Sequence, residues 1–445
     1  MNYICLILII IICFCCYRKE KSLFSPSVSF SLLYVFIFIL SSFGWFGIYD
    51  ASDSAFELIT LGVILFVTGA LCQSVLLSRR RKIPSPIRIR SEEAVGLREK
   101  VYWIMIFILL VALSVSAVIV IIFLLSGGSI GDLYLVAAAA TDGEDNELSK
   151  NPFQNLLESY VAYPLLYLIV PVSIVEFFHT YKKKYIIVAI ILALIRVVLD
   201  ARRTYLAAFI MMFVVCAILH IKDIKKADKE MKKKIRSFLK YSIVLVAVFV
   251  YLFSFISQQR SIAKLGEDDS SILQTLTYYY GGCVQFFGNC INTFKFEYTY
   301  GFSSLRGFFA PFFGVFRLFG AASPDVLEYA NDYLVQLHSQ TIQISPSKTY
   351  NSFATCFFQF YCDGGVIGII VLSFSFGFLA QSLYNKMKTL KSKRAEATYL
   401  FFYANILMLS FVNMETVQAL NFWPLILVRL LYPSIRTSHK KTSLK

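Results

Sequence analysis

Residues 101–125 read Val-Tyr-Trp-Ile-Met-Ile-Phe-Ile-Leu-Leu-Val-Ala-Leu-Ser-Val-Ser-Ala-Val-Ile-Val-Ile-Ile-Phe-Leu-Leu, without one charged side chain. About 20 such residues in a helix cross the ~30 Å hydrocarbon core of a bilayer. Working outward, the same test finds ten further apolar stretches: 2–17, 28–49, 56–78, 156–178, 185–199, 204–220, 241–257, 364–384, 398–414 and 417–433. The expected fold is all-α: a polytopic membrane protein of about 11 transmembrane helices, forming a single domain over 1–445. Composition agrees. The 445 residues are 57% hydrophobic and 16% charged, with mean hydropathy +0.65, whereas a soluble domain is about a quarter charged. The first stretch lacks the basic flank and small-residue cleavage site of a signal peptide, and Arg18-Lys19-Glu20-Lys21 follows it. It is therefore expected to be a retained anchor.

The chain carries 43 Lys+Arg against 28 Asp+Glu, a formal +15. In a soluble protein that excess would point to a nucleic-acid partner. Here its distribution points elsewhere. With the N-terminus outside, segments 18–27, 79–100, 179–184, 221–240, 385–397 and 434–445 face inward and hold 32 of the 43 basic residues. The positive-inside rule then places the N-terminus outside and the C-terminus in the cytoplasm. The expected partner is the lipid bilayer, with no nucleic acid. Segments 79–100 and 221–240 become basic cytoplasmic loops, the latter drawn to anionic lipid. Segments 126–155 and 258–363 become the two long outer (periplasmic) loops.

The loop 258–363 is the expected place for chemistry, since loops on a rigid scaffold commonly carry function. The run from Arg306 to Arg317 is apolar but broken by Pro311 and Gly314, and predicts a re-entrant or interfacial helix. The aromatic run Tyr278-Tyr279-Tyr280 reads either as an interfacial belt or as a platform for sugar rings, with Tyr279 and Tyr280 as contacts. Cys283 and Cys290 are a candidate disulfide on this face. No phosphate-binding glycine loop and no Cys/His zinc spacing is apparent, so neither cofactor nor metal is expected.

Five arginines stand out on the outer face. Arg202 and Arg203 sit in a break between two short spans of about 22–26 Å each, which recesses the turn into the outer leaflet. Arg196 and Asp200, spaced i,i+4, are expected to pair. Arg260 follows the eighth span directly, and Arg306 and Arg317 flank the aromatic run. Snorkelling to lipid headgroups would account for each alone. As a set they suit diphosphate oxygens, because guanidinium groups stay charged and donate bidentate hydrogen bonds. His338 is the one outer histidine, and an unperturbed imidazole would suit a general base near neutral pH. Asp363 sits at the mouth of the ninth span, either as a helix cap or facing the cavity.

The run Ser352-Phe353-x-Thr355-x8-Gly364-Gly365-x2-Gly368, entering a late span after a long outer loop, resembles the O-antigen polymerases (Wzy-type), the oligosaccharide repeat-unit polymerases. The Asp-Arg-Arg break at 200–203 and Gln258-Gln259-Arg260 are similar too. Members more often carry Asp-Phe-Gly where this chain has Asp363-Gly364-Gly365. The resemblance implies a glycosyltransferase of the bacterial inner membrane acting in surface-polysaccharide biosynthesis. Its donor and acceptor would be polyprenyl-diphosphate-linked oligosaccharides, with a chain-length regulator as a candidate partner and no metal. On that reading Arg202, Arg203 and Arg260 stabilise the leaving diphosphate and Arg306, Arg317 and Arg196 support them. The base is His338 or Asp363. An O-antigen ligase with the same donor remains an alternative, as does a flippase or transporter of the lipid-linked repeat unit.

Overall fold

The computed structural model describes residues 2–81, 96–129, 132–133, 154, 157–200, 204–226, 247, 251, 255, 272–318, 320, 322–346, 348–350, 353–412 and 419–433. Apart from one two-stranded hairpin, the described elements are helical. They are α1 (Asn2–Glu20), α2 (Pro26–Ser42), α3 (Asp53–Arg81), α4 (Glu99–Leu125), α5 (Tyr163–Thr180), α6 (Lys183–Asp200) and α7 (Thr204–Lys226). Then come α8 (Ile272–Thr293), α9 (Arg306–Leu318), α10 (Asp325–Ser339), β1 (Ile342–Ser345), β2 (Lys348–Tyr350), α11 (Thr355–Leu390), α12 (Lys393–Phe402) and α13 (Ala419–Leu431). A single π turn, Glu158–Ala162, leads into α5, and another, Tyr403–Leu407, extends α12.

Among the described residues five helical segments are long and apolar enough to cross a membrane: Asn2–Glu20, Asp53–Leu77, Glu99–Leu125, Glu158–Thr180 and Thr355–Leu390. Their packing differs. The span through α4 is 28% buried, whereas that through the π turn and α5 is 83% buried. An apolar helix left exposed on most of its sides is built for lipid, and α5 is the helix the others pack around. Below that length, α2 stops at Ser42 because Gly44 turns left-handed at φ 59°. The expected span 28–49 is thus a 17-residue helix followed by a short 3-10 turn.

Helices α3 and α11 run in the same direction and touch backbone to backbone. A Cβ on Gly69 would lie 2.0 Å from the Phe374 carbonyl oxygen, and one on Gly377 would lie 1.9 Å from that of Phe66. Small residues at a crossing allow this approach where apolar burial cannot drive helix association. Around the crossing, Phe30 stacks on Phe66 at 3.9 Å, with Phe376 edge-on to both.

The bundle has two chemically different ends. At the lysine end lie the turns Tyr181-Lys182 and Lys391-Ser392, where Tyr181 (φ 55°) and Lys391 (φ 47°) stop α5 and α11 in the left-handed region. Glu99 on α4 pairs there with Lys184 at 3.1 Å. The Tyr185 hydroxyl also donates to the Glu99 carboxylate, at 2.8 Å.

At the arginine end, the described part of segment 258–363 is far more structured than a loop. It holds α8, α9, α10 and the antiparallel hairpin, in register Ile342 to Tyr350. Helix α8 buries Tyr278, Cys283, Val284, Phe286, Phe287 and Cys290 in the core. The Tyr350 hydroxyl seals it by donating to the Tyr279 carbonyl at 2.8 Å. Polar Thr, Gln and Asn within 272–293 hid this burial from a hydropathy test. The expected span 241–257, all but residues 247, 251 and 255, falls outside the described residues. So do most of the loops 79–100, 126–155 and 221–240.

Candidate functional site

Arg196 lies one turn from the end of α6 and is 3% exposed. Its guanidinium carbon sits 3.4 Å from the ring centroid of Tyr163 and 4.4 Å from that of Tyr205. It donates to the Tyr205 hydroxyl at 2.7 Å. Two π faces in a desolvated site hold a cation by roughly 2 kcal/mol or more each. The expected i,i+4 partner Asp200 is the last residue of the same helix, but its side chain is outside the described residues.

The cluster continues through Tyr163, whose hydroxyl donates to Glu158 Oε2 at 3.0 Å. Glu158, in the π turn, is 2% exposed. Its Oε1 accepts from the Ser116 hydroxyl on α4 and from Gln154 Nε2 at 3.3 Å. Gln154 also donates to Ser116 at 2.7 Å. A buried cation and a buried carboxylate are thus joined through one tyrosine, across α4, the π turn, α5, α6 and α7. The π turn widens the helix at this point, as such turns commonly do at functional sites.

Arg306 opens α9 and approaches the same turn. Its Nε donates to Asn331 Oδ1 on α10. Burial lowers its pKa from the ordinary value and the neighbouring Tyr160, in the π turn, acts the other way. Helix α9 itself is amphipathic and lies against α13, with Phe308 on Phe422 at 4.9 Å and Phe312 near Trp423 at 6.3 Å. Two of the arginines singled out in the sequence, Arg196 and Arg306, therefore lie beside the same turn, one on Tyr163 and the other near Tyr160. Arg202 and Arg203, which follow α6 directly, and Arg260 lie outside the described residues. Arg317 is placed on α9, with its side chain outside the described residues.

Asp363 has a different environment from either sequence expectation. It precedes a break inside α11, where Gly364 is extended and Gly365 is left-handed at φ 59°. A Cβ at Gly365 would be strained there. The Asp363 carboxylate turns away from the helix that follows and into the 299–304 loop. Oδ1 accepts from the Thr299 hydroxyl at 2.6 Å and from the amides of Gly301 and Ser303 at 2.9 Å. Oδ2 accepts from the Ser304 amide at 3.0 Å and from its hydroxyl. Backbone bonds Thr299 N to Cys362 O and Tyr300 N to Asp363 O run alongside. Five donors on a 4% exposed carboxylate make Asp363 the anchor that sets where α9 begins.

Tyr279 and Tyr280, read as sugar contacts, are half-buried ring packers: Tyr279 lies against Phe353 at 5.4 Å and Tyr280 stacks on Phe411 at 4.3 Å. His338 is the penultimate residue of α10 rather than a loop residue, and its side chain is outside the described residues. Cys283 and Cys290 are free. Seven residues apart on one helix, they are separated by about 10 Å along its axis, too far to bridge.

Sequence reasoning passed over two sets of residues. Glu158, Tyr163 and Tyr205 read as ordinary span residues, although a glutamate inside an apolar stretch was a usable signal. The second set, at the lysine end, is His179, His220 and Glu396. All three already fell at inward-facing span ends in the topology drawn from charge, which was enough to bring them to one face.

No family model, curated protein or solved structure matches the chain.

Proposed function

We propose that the chain polymerises lipid-linked oligosaccharide repeat units, transferring glycan from polyprenyl diphosphate to a hydroxyl of another lipid-linked repeat. In this reading it crosses the bacterial inner membrane eleven times, with the N-terminus outside and the lysine end in the cytoplasm. The arginine end then faces the periplasm, and α9 lies in the interface.

The observation that carries the reading is that Arg196, packed on Tyr163, and Arg306, beside Tyr160, both lie next to the π turn 158–162. Arg202 and Arg203 follow within two turns of Arg196 in sequence. The reaction joins an acceptor hydroxyl oxygen to the anomeric carbon, breaks the bond to the diphosphate oxygen and releases one proton. Charge grows on the diphosphate as that bond breaks, and preorganised cations aimed at it are commonly the largest catalytic contribution. Arg202, Arg203 and Arg260 would receive it, with Arg306 and Arg317 supporting. Arg196, clamped between tyrosines, would position the end of α6, which Arg202 and Arg203 follow in sequence. Asp363 has its oxygens filled by loop donors, which favours His338 as the proton acceptor.

Losing one diphosphate contact is expected to cost about 3 kcal/mol, roughly 100-fold in rate. The test is the polysaccharide ladder from cells whose own copy is replaced by Arg202→Ala, Arg203→Ala, Arg260→Ala or Arg306→Ala. Short or single-unit products in these cells are expected. Wild-type chain-length distributions in all four would overturn the reading, and accumulation of long lipid-linked polymer would make the chain a ligase instead.

A further inference from the structure

At the lysine end, three helices bring three metal-binding side chains together. His179 ends α5, His220 is on α7, and Glu396 is in the first turn of α12. His179 Nε2 lies 2.8 Å from Glu396 Oε2, and His220 Nε2 lies 2.8 Å from Glu396 Oε1. All three ligand atoms fall within 4.8 Å of one another. The two imidazoles meet edge to face at 4.7 Å, and Phe178 stacks on His220 at 5.7 Å, which holds that ring's plane. One turn before His220 on the same face of α7, Cys216 places its sulfur 3.3 Å from Glu396 Oε1.

We propose that Cys216, His179, His220 and Glu396 form a closed zinc site that fastens α5, α7 and α12 at the lysine end. Cys216 and His220 have the i,i+4 spacing that puts two ligands on one helix face. Zinc takes nitrogen, sulfur and carboxylate ligands at about 2.0–2.3 Å in tetrahedral array, so its ligand atoms sit about 3.3–3.8 Å apart. The His179, His220 and Glu396 ligand atoms, 2.8 to 4.8 Å apart, bracket that range, and Cys216 Sγ lies 3.3 Å from Glu396 Oε1.

Charge supports the same assignment. Glu396 is 7% exposed, and its close partners, two imidazoles and the Cys216 thiol, are all groups that can ligate a metal. The adjacent Lys393 bonds Glu176 at 2.9 Å, and Glu176 also accepts from the Tyr432 hydroxyl at 2.8 Å. A divalent ion with one thiolate, one carboxylate and two neutral imidazoles is neutral overall, as a buried site requires. Zinc entry releases the Cys216 proton and displaces the Nε2 protons of His179 and His220, to Nδ1 from a neutral ring or to solvent from an imidazolium, with no change of oxidation state. The His179 side chain, 27% exposed, leaves a path for the ion.

The test uses the full chain in detergent, stripped of metal and titrated with Co²⁺ as a spectroscopic substitute. One equivalent is expected to bind, with the intense visible absorption of tetrahedral cobalt and a sulfur-to-cobalt charge-transfer band, and zinc should displace it. His220→Ala and Glu396→Gln should weaken uptake by at least ~10-fold, and Cys216→Ser should remove the charge-transfer band. The wild-type spectrum decides the matter even if a variant fails to fold. Absence of uptake, the faint spectrum of octahedral cobalt, or bands unchanged in His220→Ala or Cys216→Ser would each overturn the proposal.

Discussion

Asp363 and Glu396 are both buried carboxylates, 4% and 7% exposed, at opposite ends of the bundle. Their partners differ in kind. Asp363 is held by the amides and hydroxyls of residues 299–304, neutral groups that neither titrate nor exchange. Glu396 is held by two imidazoles and a thiol, all of which change charge or accept a metal. Neutral backbone donors make a carboxylate a fixed structural anchor. Titratable partners make it responsive to conditions. The difference separates scaffold from site more sharply than burial or charge alone.

The strongest way to break the comparison is Asp363→Ala. Removing the acceptor leaves buried amides at Ser303 and Ser304 without their partner and should cost about 3–5 kcal/mol. Thermal unfolding in detergent is expected to show a large fall in midpoint, and an unchanged midpoint would show that the 299–304 loop does not depend on this carboxylate.

Glu396→Gln should behave differently. Burial alone would raise the Glu396 carboxyl, but hydrogen bonds and charge from His179 and His220 outweigh it and bring it from 4.5 to about 2. A depressed folded-state value stabilises the fold above the unfolded value and loses that stabilisation as pH falls. In metal-free protein the contribution, on the order of 3 kcal/mol, is thus complete above about pH 4.5 and disappears toward pH 2. Stability measured across that window should fall steeply in the parent chain and less steeply in Glu396→Gln. Parallel curves would show that the imidazoles do not hold the carboxylate.

The smallest effect is expected at Tyr205→Phe. The ring facing Arg196 remains and only the 2.7 Å hydrogen bond is lost, a change of about 1.5 kcal/mol. Thermal stability should drop slightly while polymer length changes little. Tyr205→Ala removes the π face as well, and should do distinctly more.

Much of the helical framework was legible before any coordinates. Apolar runs such as 101–125 and 156–178 appear as α4 and as the π turn with α5, because length and hydropathy are local properties. Helix α9 appeared where the broken aromatic run predicted a helix. Less legible was α8, whose Thr, Gln, Asn and Gly residues lower its hydropathy although the protein buries it. Arg196 was singled out as the i,i+4 neighbour of Asp200, while its tyrosine partners come from two other helices. Asp363 was noticed at its helix mouth, while the five donors that define it sit about sixty residues earlier in the chain.

By itself, the sequence determined the all-helical apolar class and the uneven distribution of charge, because both follow from composition within single segments. Only the tertiary structure decided which polar groups meet inside that apolar frame. Burying one ionisable group demands a partner at hydrogen-bonding distance, and that partner is chosen by helix packing rather than by neighbouring sequence. Arg196 found Tyr163 and Tyr205, Asp363 found the 299–304 loop, and Glu396 found His179 and His220 in this way.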